Sequence, residues 1–282
     1  MFLLFDIGGT KIRLAISRDK KSFIAFEVFD TPKKFDEAVD LIKNYLETQD
    51  VGFQGAIGGI AGVLDKERAR LVFSPNLNDW VGKELKSTLS QIIGGGDLVI
   101  ENDAALSALG EATYGAGKAF DIVAYITIGT GVGGARIVAK KIDRGRYNFE
   151  PGHQIIEVNS ATFSKVQGSD IKDEIKDLES LISGASIEKR YERELKDIND
   201  ERVWDKIYRY LAMGLVNTCV FWSPDIVILG GGIVGSEKFQ MKKLEEYFKS
   251  IMNAYPDPPL LIKGSLGEHA GLYGALQILK QD

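Results

Sequence analysis

The sequence predicts an α/β fold made of two similar halves, on three observations. Apolar strand-like runs and segments of helical spacing follow one another in mixed order, the pattern of an α/β architecture. The 282 residues exceed the usual size of a single core, so two domains with a cleft between them are expected. Each half also opens in the same way. The run Phe2 to Ile16 turns at Asp6-Ile7-Gly8-Gly9-Thr10-Lys11, and the run Val123 to Val138 turns at Gly129-Thr130-Gly131-Val132-Gly133-Gly134. Glycine has no Cβ to keep a phosphate away from backbone amides, so such turns suit phosphate binding. Two of them suggest one nucleotide gripped from both sides.

In chain order, the opening strands end at Val28 to Pro32, and Lys34 to Thr48 places Phe35, Ala38, Val39, Ile42 and Leu46 at helical spacing. Gly55 to Gly62 is apolar and glycine-rich, a buried strand running into a close-approach loop. Leu98-Val99-Ile100 is a short strand and Asp103 to Tyr114 a helix. Gly115-Ala116-Gly117-Lys118 is the expected junction, which gives domains at 1–114 and 115–267. Residues 157–177 show weak periodicity and receive no assignment; helical spacing resumes at Ser186 and continues through Arg202 to Trp222. Asp225 to Leu229 is a strand entering Gly230-Gly231-Gly232, and Phe239 to Tyr255 is an amphipathic helix. The last helix, Ala270 to Leu279, carries small residues for close packing, and the segment 268–282 is expected to fold back on the first domain.

Composition narrows the function. Hydrophobic residues are 44% and charged residues 27% of the chain, which suits a globular protein with a full core. A net charge of −5 without a basic stripe argues against a nucleic-acid partner. The single Cys219 allows no disulfide framework and no multi-cysteine metal site. Residues 1–16 open on a strand pattern with neither a basic leader nor a long apolar run, so no secretory signal or membrane span is expected, and the cytoplasm is the expected location.

Gly129-x-Gly131-x-x-Gly134 matches the dinucleotide fingerprint in letters, with Glu150 near the spacing of an acidic ribose ligand. The fingerprint needs a helix after its glycines, whereas the β-branched stretch Ala135 to Ala139 reads as a returning strand, so a phosphate hairpin is the better reading. Asp6 closes the first strand, where a carboxylate can face a phosphate-bound Mg²⁺ through water. Glu101-Asn102-Asp103 follows a strand and opens a helix, at the strand end where ligands bind in open α/β sheets. Asn102 and Asp103 are equally good helix caps, but beside a phosphate site Asp103 is a candidate general base. Glu150-Pro151-Gly152-His153 offers a carboxylate and an imidazole to a polyhydroxylated ligand, although a lone histidine such as His153, like Glu179 in a helical-looking segment, is more often structural than a ligand.

These motifs, with Leu229-Gly230-Gly231-Gly232 and in this order and spacing, resemble the ROK family of sugar kinases within the actin, hexokinase and Hsp70 superfamily. The resemblance covers nearly the whole chain, and Ser74-Pro75-Asn76-Leu77-Asn78-Asp79-Trp80 is similar to one of the family's sugar-side loops. It implies two actin-like (ribonuclease H-like) domains with ATP in the cleft between them. Gly8, Gly9, Thr10, Lys11, Thr130 and Gly131 would then hold the phosphates and Gly231 and Gly232 the adenosine. Asp6 would face Mg²⁺ through water, Asp103 would be the base, and Asn76, Asn102, Glu150, His153 and Glu179 would bind sugar hydroxyls. The implied reaction moves the γ-phosphate of ATP to a hexose hydroxyl, most often the primary one, and homodimers are common in the family. One departure stands out. The family commonly sets several cysteines after this histidine to hold a structural zinc, and residues 154–178 contain none, so no zinc is expected. Repressors of this fold carry a DNA-binding region before it, whereas this chain opens on the phosphate strand. A non-catalytic sugar or nucleotide sensor of the same fold is the alternative, and the identity of the sugar stays open.

Overall fold

The structure, a computed structural model, describes residues 1–158 and 175–281. In chain order its first elements are β1 (Phe2–Ile7), β2 (Lys11–Ser17), β3 (Ile24–Asp30), α1 (Phe35–Thr48), β4 (Gly55–Ile60), β5 (Val63–Leu64), β6 (Leu71–Phe73), α2 (Leu85–Ile92), β7 (Asp97–Asn102) and α3 (Asp103–Thr113). There follow β8 (Ile122–Ile128), β9 (Val132–Val138), β10 (Lys141–Ile142), β11 (Ile155–Val158), β12 (Ile175–Asp177), α4 (Leu178–Ile182), α5 (Gly184–Tyr191) and α6 (Glu201–Trp222). The chain closes with β13 (Ile226–Gly230), α7 (Gly232–Gly235), α8 (Met241–Ile251), β14 (Leu260–Lys263) and α9 (Ala270–Gln281).

Contacts divide the chain into two compact units: Met1–Ala119, Ile137–Asn148 and Glu268–Asp282 form the first, and Phe120–Arg136 with Phe149–Gly267 the second. Besides a crossing close to Gly115 to Lys118 and the return at Glu268, the chain crosses between the units twice more, at Ile137 and after Asn148. Strand β9 leaves the second unit at Ile137, and β10 belongs with the first.

The two five-stranded sheets share one scheme, β3-β2-β1-β4-β7 and β10-β9-β8-β13-β14. In the first, β2 is antiparallel to β1 and β3, while β1, β4 and β7 run parallel. In the second, β8, β13 and β14 run parallel and β10 is antiparallel to β9. Helices on both faces of the first sheet explain why β1 reads as an unbroken apolar run. Leu3, Phe5 and Ile7 face a core shared with Phe35 and Ile42 of α1 and Leu85 and Leu89 of α2. Leu4 faces the other way, toward Leu106 of α3 and Leu272 and Leu276 of α9. In the second unit, Ile126, Ile128, Val227 and Leu229 share a core with Leu211 and Leu215 of α6 and Leu244 and Phe248 of α8.

Helix α9 lies against α3 at two glycines. A Cβ on Gly274 would overlap the Leu106 carbonyl, and one on Gly110 the Ala270 carbonyl. Alanine at a helix interior ordinarily gains about 1 kcal/mol over glycine. Gly274→Ala is expected instead to destabilise by about 1–3 kcal/mol, because the backbones must part to admit the methyl. Thermal denaturation checks this; an unchanged or raised Tm would show that the two helices are not in close backbone contact.

Candidate active site

In the first unit the site grows from the β1–β2 turn. Gly8 N donates to Lys11 O at 2.8 Å, and Thr31 ties the turn down by donating Oγ1 to Gly8 O at 2.8 Å and N to Thr10 O at 3.0 Å. Gly9 touches the sugar-side loop so closely that a Cβ there would sit 2.6 Å from Asn76 Cβ. Asn76 is therefore set beside the turn, and its loop is fixed further along. Asp79 Oδ2 accepts from Phe35 N at the start of α1 (2.9 Å), and buried Trp80 stacks edge-on against Phe35 at 5.3 Å. The Lys11 ammonium lies 2.7 Å from Asp30 Oδ1 on β3, an exposed pair of the kind that contributes little to stability. Moving that ammonium to a phosphate costs little.

Asp6 is 8% exposed at the end of β1. Its cross-strand neighbour Arg13 approaches it at 3.7 Å and reaches Glu268 at 3.7 Å, while Gly271 of α9 crowds its carboxylate. Burial raises the Asp6 pKa to about 7, the charge of Asp103 adds to the rise, and Arg13 opposes it. Asp103 is raised to about 6, again chiefly by burial, against the hydrogen bond its Oδ1 accepts from Ala104 N at 2.9 Å. A divalent cation brought in on a nucleotide relieves this excess of negative charge, so the donor chemistry suits one carboxylate facing Mg²⁺ through water. Among the described residues, no group of three or more His, Cys, Asp or Glu is arranged to hold a metal by itself.

The β7–α3 junction delivers Asp103. Asn102 is the N-cap of α3: its Oδ1 accepts from Ala105 N at 3.0 Å, and its Nδ2 donates to Gly62 O at 3.2 Å. The capping role is thus filled by Asn102, leaving Asp103 in the first turn. Beneath it, a Cβ on Gly59 of β4 would stand 2.9 Å from Asp103 Cα, so the glycine lets α3 start directly over the sheet. Sequence reading missed the neighbours of Glu101. This residue is 1% exposed and pairs with both Arg68 and Arg144, 33 and 43 residues away. Burial lowers the Arg68 pKa, and Glu101 opposes the shift. No local signal announces partners at such separations; an acidic residue with no neighbouring cation at a buried strand end is the only hint.

In the second unit, the turn at Thr130 and Gly131 is held from several directions. Gly129 N donates to Gly131 O at 2.9 Å, Gly184 N to Gly129 O at 2.8 Å, and Ala185 N to Thr130 O at 3.2 Å. Glu179 Oε2 accepts from Val132 N at 2.7 Å and lies where a Cβ on Gly131 would need to be. Glu179 therefore meets the turn itself. The segment Glu150 to His153 packs on the start of β9, with Gly152 against the Val132 carbonyl and Pro151 against Gly134. His153 Nδ1 stands 2.9 Å from Asp177 Oδ2. Its pKa is raised: burial lowers it, but the bond to Asp177 and the charges of Glu179, Asp177 and Glu150 together outweigh burial. The unassigned stretch 157–177 contributes the antiparallel pair β11 and β12 at its ends, and residues 159–174 lie outside the described residues. Gly231 has φ +88°, in the region that favours glycine, and leads Gly232 into α7, where a Cβ would meet nothing within 4 Å.

Two sheets of one strand scheme, each opening on a glycine turn, define the two-domain actin-like fold used by sugar kinases. The ROK family model matches residues 3–282, and the chain belongs to that family. A glucokinase of Streptomyces coelicolor is 26% identical over 316 aligned residues, covering 98% of this chain and 96% of its own. An N-acetyl-D-glucosamine kinase of Vibrio parahaemolyticus is 29% identical, with 98% of each chain covered. The crystal structure of a ROK glucokinase from Streptomyces griseus with glucose and AMPPNP superposes with a TM-score of 0.78 at 24% identity, covering 100% of this chain and 99% of that one. Among the described residues no helix is long and apolar enough to cross a membrane.

Proposed function

We propose that this chain is an ATP-dependent sugar kinase that transfers the γ-phosphate of MgATP to a hydroxyl, the 6-hydroxyl, of a hexose such as glucose or an N-acetylhexosamine. The observation that carries the reading is Asp103: a half-buried carboxylate at a strand end, beside a phosphate-type turn, with its pKa raised to about 6. Its second oxygen takes no hydrogen bond from another described residue. Such a group is mostly ionised at pH 7 yet basic enough to take a proton. As the acceptor oxygen forms its bond to phosphorus and the bond to ADP breaks, the hydroxyl proton passes to Asp103 and later to water. Phosphoryl transfer needs positioning and charge neutralisation more than covalent help. Gly8 to Lys11 with Thr130 and Gly131 are assigned to the phosphates, and Gly231 and Gly232 to the adenosine. The metal belongs to the donor substrate; it neutralises phosphate charge, and Asp6 would face it. Asn76, Asn102, Glu150, His153 and Glu179 are assigned to the sugar hydroxyls. The glucokinase and N-acetylglucosamine kinase relatives support a hexose or its 2-acetamido form.

ADP release from MgATP, measured over glucose, mannose, fructose, allose, N-acetylglucosamine and N-acetylmannosamine, tests the reading. One sugar is expected to raise turnover at least about 100-fold over the sugar-free rate, the scale of a positioned base. Silence with every sugar, while sugar or ATP still binds, would overturn the kinase in favour of a sensor of the same fold.

A further inference from the structure

We infer that Asp177 is a positioning residue of the sugar site: one of its carboxylate oxygens fixes the His153 ring, and the other holds the start of the helix that carries Glu179. The inference rests on the sugar-kinase reading and adds a residue to it. Asp177 ends β12, where it pairs with Ile155, two residues beyond His153. Its Oδ2 lies 2.9 Å from His153 Nδ1, and its Oδ1 accepts from Ser180 N at 2.8 Å as the N-cap of α4. Glu179 sits between Asp177 and Ser180, in the first turn of that helix, and accepts from Val132 N. A single carboxylate thus sets two of the five residues assigned to the sugar.

The chemistry of the contact fixes the ring. An ionised carboxylate only accepts hydrogen bonds, so the proton must be on Nδ1. The neutral ring then turns Nε2, an acceptor, away from Asp177, where it can receive a substrate hydroxyl. Among the described residues, the other charged groups facing the imidazole are Glu150 and Glu179, both acceptors, and neither can supply a proton to select the opposite tautomer. Without Asp177 nothing described in the structure chooses between the tautomers. The hydrogen bond of Gln154 Nε2 to Pro151 O (2.7 Å) and that of Leu178 N to Gln154 O (3.0 Å) hold the backbone of this corner, so the loop does not depend on Asp177 alone.

Asp177→Asn separates the two roles. Asparagine caps helices as well as aspartate, so its oxygen keeps the bond to Ser180 N while its amide donor replaces Oδ2 beside His153. That donor forces Nδ1 to accept and moves the proton to Nε2. The chain has two histidines, so ¹⁵N-histidine spectra of the full chain are readily assigned with His153→Gln. We expect the neutral His153 ring to be Nδ1–H in the native protein and Nε2–H in Asp177→Asn. With it, the sugar KM should rise at least about tenfold (about 1.4 kcal/mol) while the ATP KM and the thermal midpoint stay close to native. In the His153→Gln background, Asp177→Asn should add no further rise. An unchanged tautomer overturns the inference, and so does a flipped tautomer with an unchanged sugar KM. If Asp177→Asn does not fold, Asp177→Glu, which keeps the acceptor, is expected to keep the Nδ1–H form, and its loss overturns the inference. Absence of turnover with any sugar in the native protein would instead remove the kinase reading, and the tautomer would still report whether Asp177 sets the ring.

Discussion

Asp103→Asn is expected to lower kcat by about 10²- to 10⁴-fold with much smaller changes in the KM for sugar and ATP. Asparagine preserves shape and can keep the hydrogen bond from Ala104 N, so α3 should start as before and substrates should still bind. What it cannot do is accept the hydroxyl proton as the phosphorus–oxygen bond forms. The pH profile gives a second reading of the same residue. The base works only when ionised, so native kcat/KM for the sugar at saturating MgATP, where the metal keeps Asp6 ionised, should rise as pH passes upward through about 6 and flatten above it. In Asp103→Asn that acid limb should disappear from the residual rate. Near-native kcat, or a residual rate with the same acid limb, would sink the assignment.

Asp6→Asn should produce opposite effects on stability and activity. A carboxyl whose pKa is raised from 3.8 in the free side chain to about 7 in the folded chain opposes folding wherever the unfolded chain ionises it. Below about pH 4 it is protonated in both folded and unfolded chains and contributes nothing. As pH rises from about 4 to about 7 the unfolded chain ionises first, and the folded state loses stability. The rise from 3.8 to about 7 bounds that loss at about 4 kcal/mol. Asparagine does not ionise, so the variant should melt higher than native at pH 8 and converge with it at pH 4. Part of the gain is offset because Arg13 loses one of its acidic neighbours and keeps Glu268. Activity should fall in the same variant, at least about 100-fold in kcat/KM for MgATP, the scale of losing a charge that acts on a phosphate-bound metal. Equal melting at pH 8 would show that Asp6 is not held in a strained ionised state. Full activity would remove it from the nucleotide site. The combination of greater stability and lost function is the mark of a residue retained for chemistry.

The reach of the sequence follows the distance over which each feature is encoded. The turn at Gly8 and Gly9 and the strand-to-helix junction at Asn102 and Asp103 were legible because strand, turn and cap lie within about ten residues. Helix α8 shows a limit of the same reasoning. The apolar spacing runs from Phe239 to Tyr255, but the helix covers Met241–Ile251, because Phe239 and Tyr255 are packed into the core from outside it. Helix α2 and strand β14 escaped notice because each is short and half-exposed, with too few periods to stand out.

By itself the sequence determined the α/β class, the doubled strand-turn-strand opening, the identity of Asp6 and Asp103 as candidate chemical groups, and the resemblance to the ROK family. All of these are properties of local pattern and of motif order. Only the tertiary structure decided the environments. It placed Arg68 and Arg144 on Glu101, Gly271 against Asp6, Glu179 on the Val132 amide and Asp177 on His153. Burial and partners brought from tens of residues away set whether a carboxylate is a base, a cap or an anchor, and neither is written in the letters beside it.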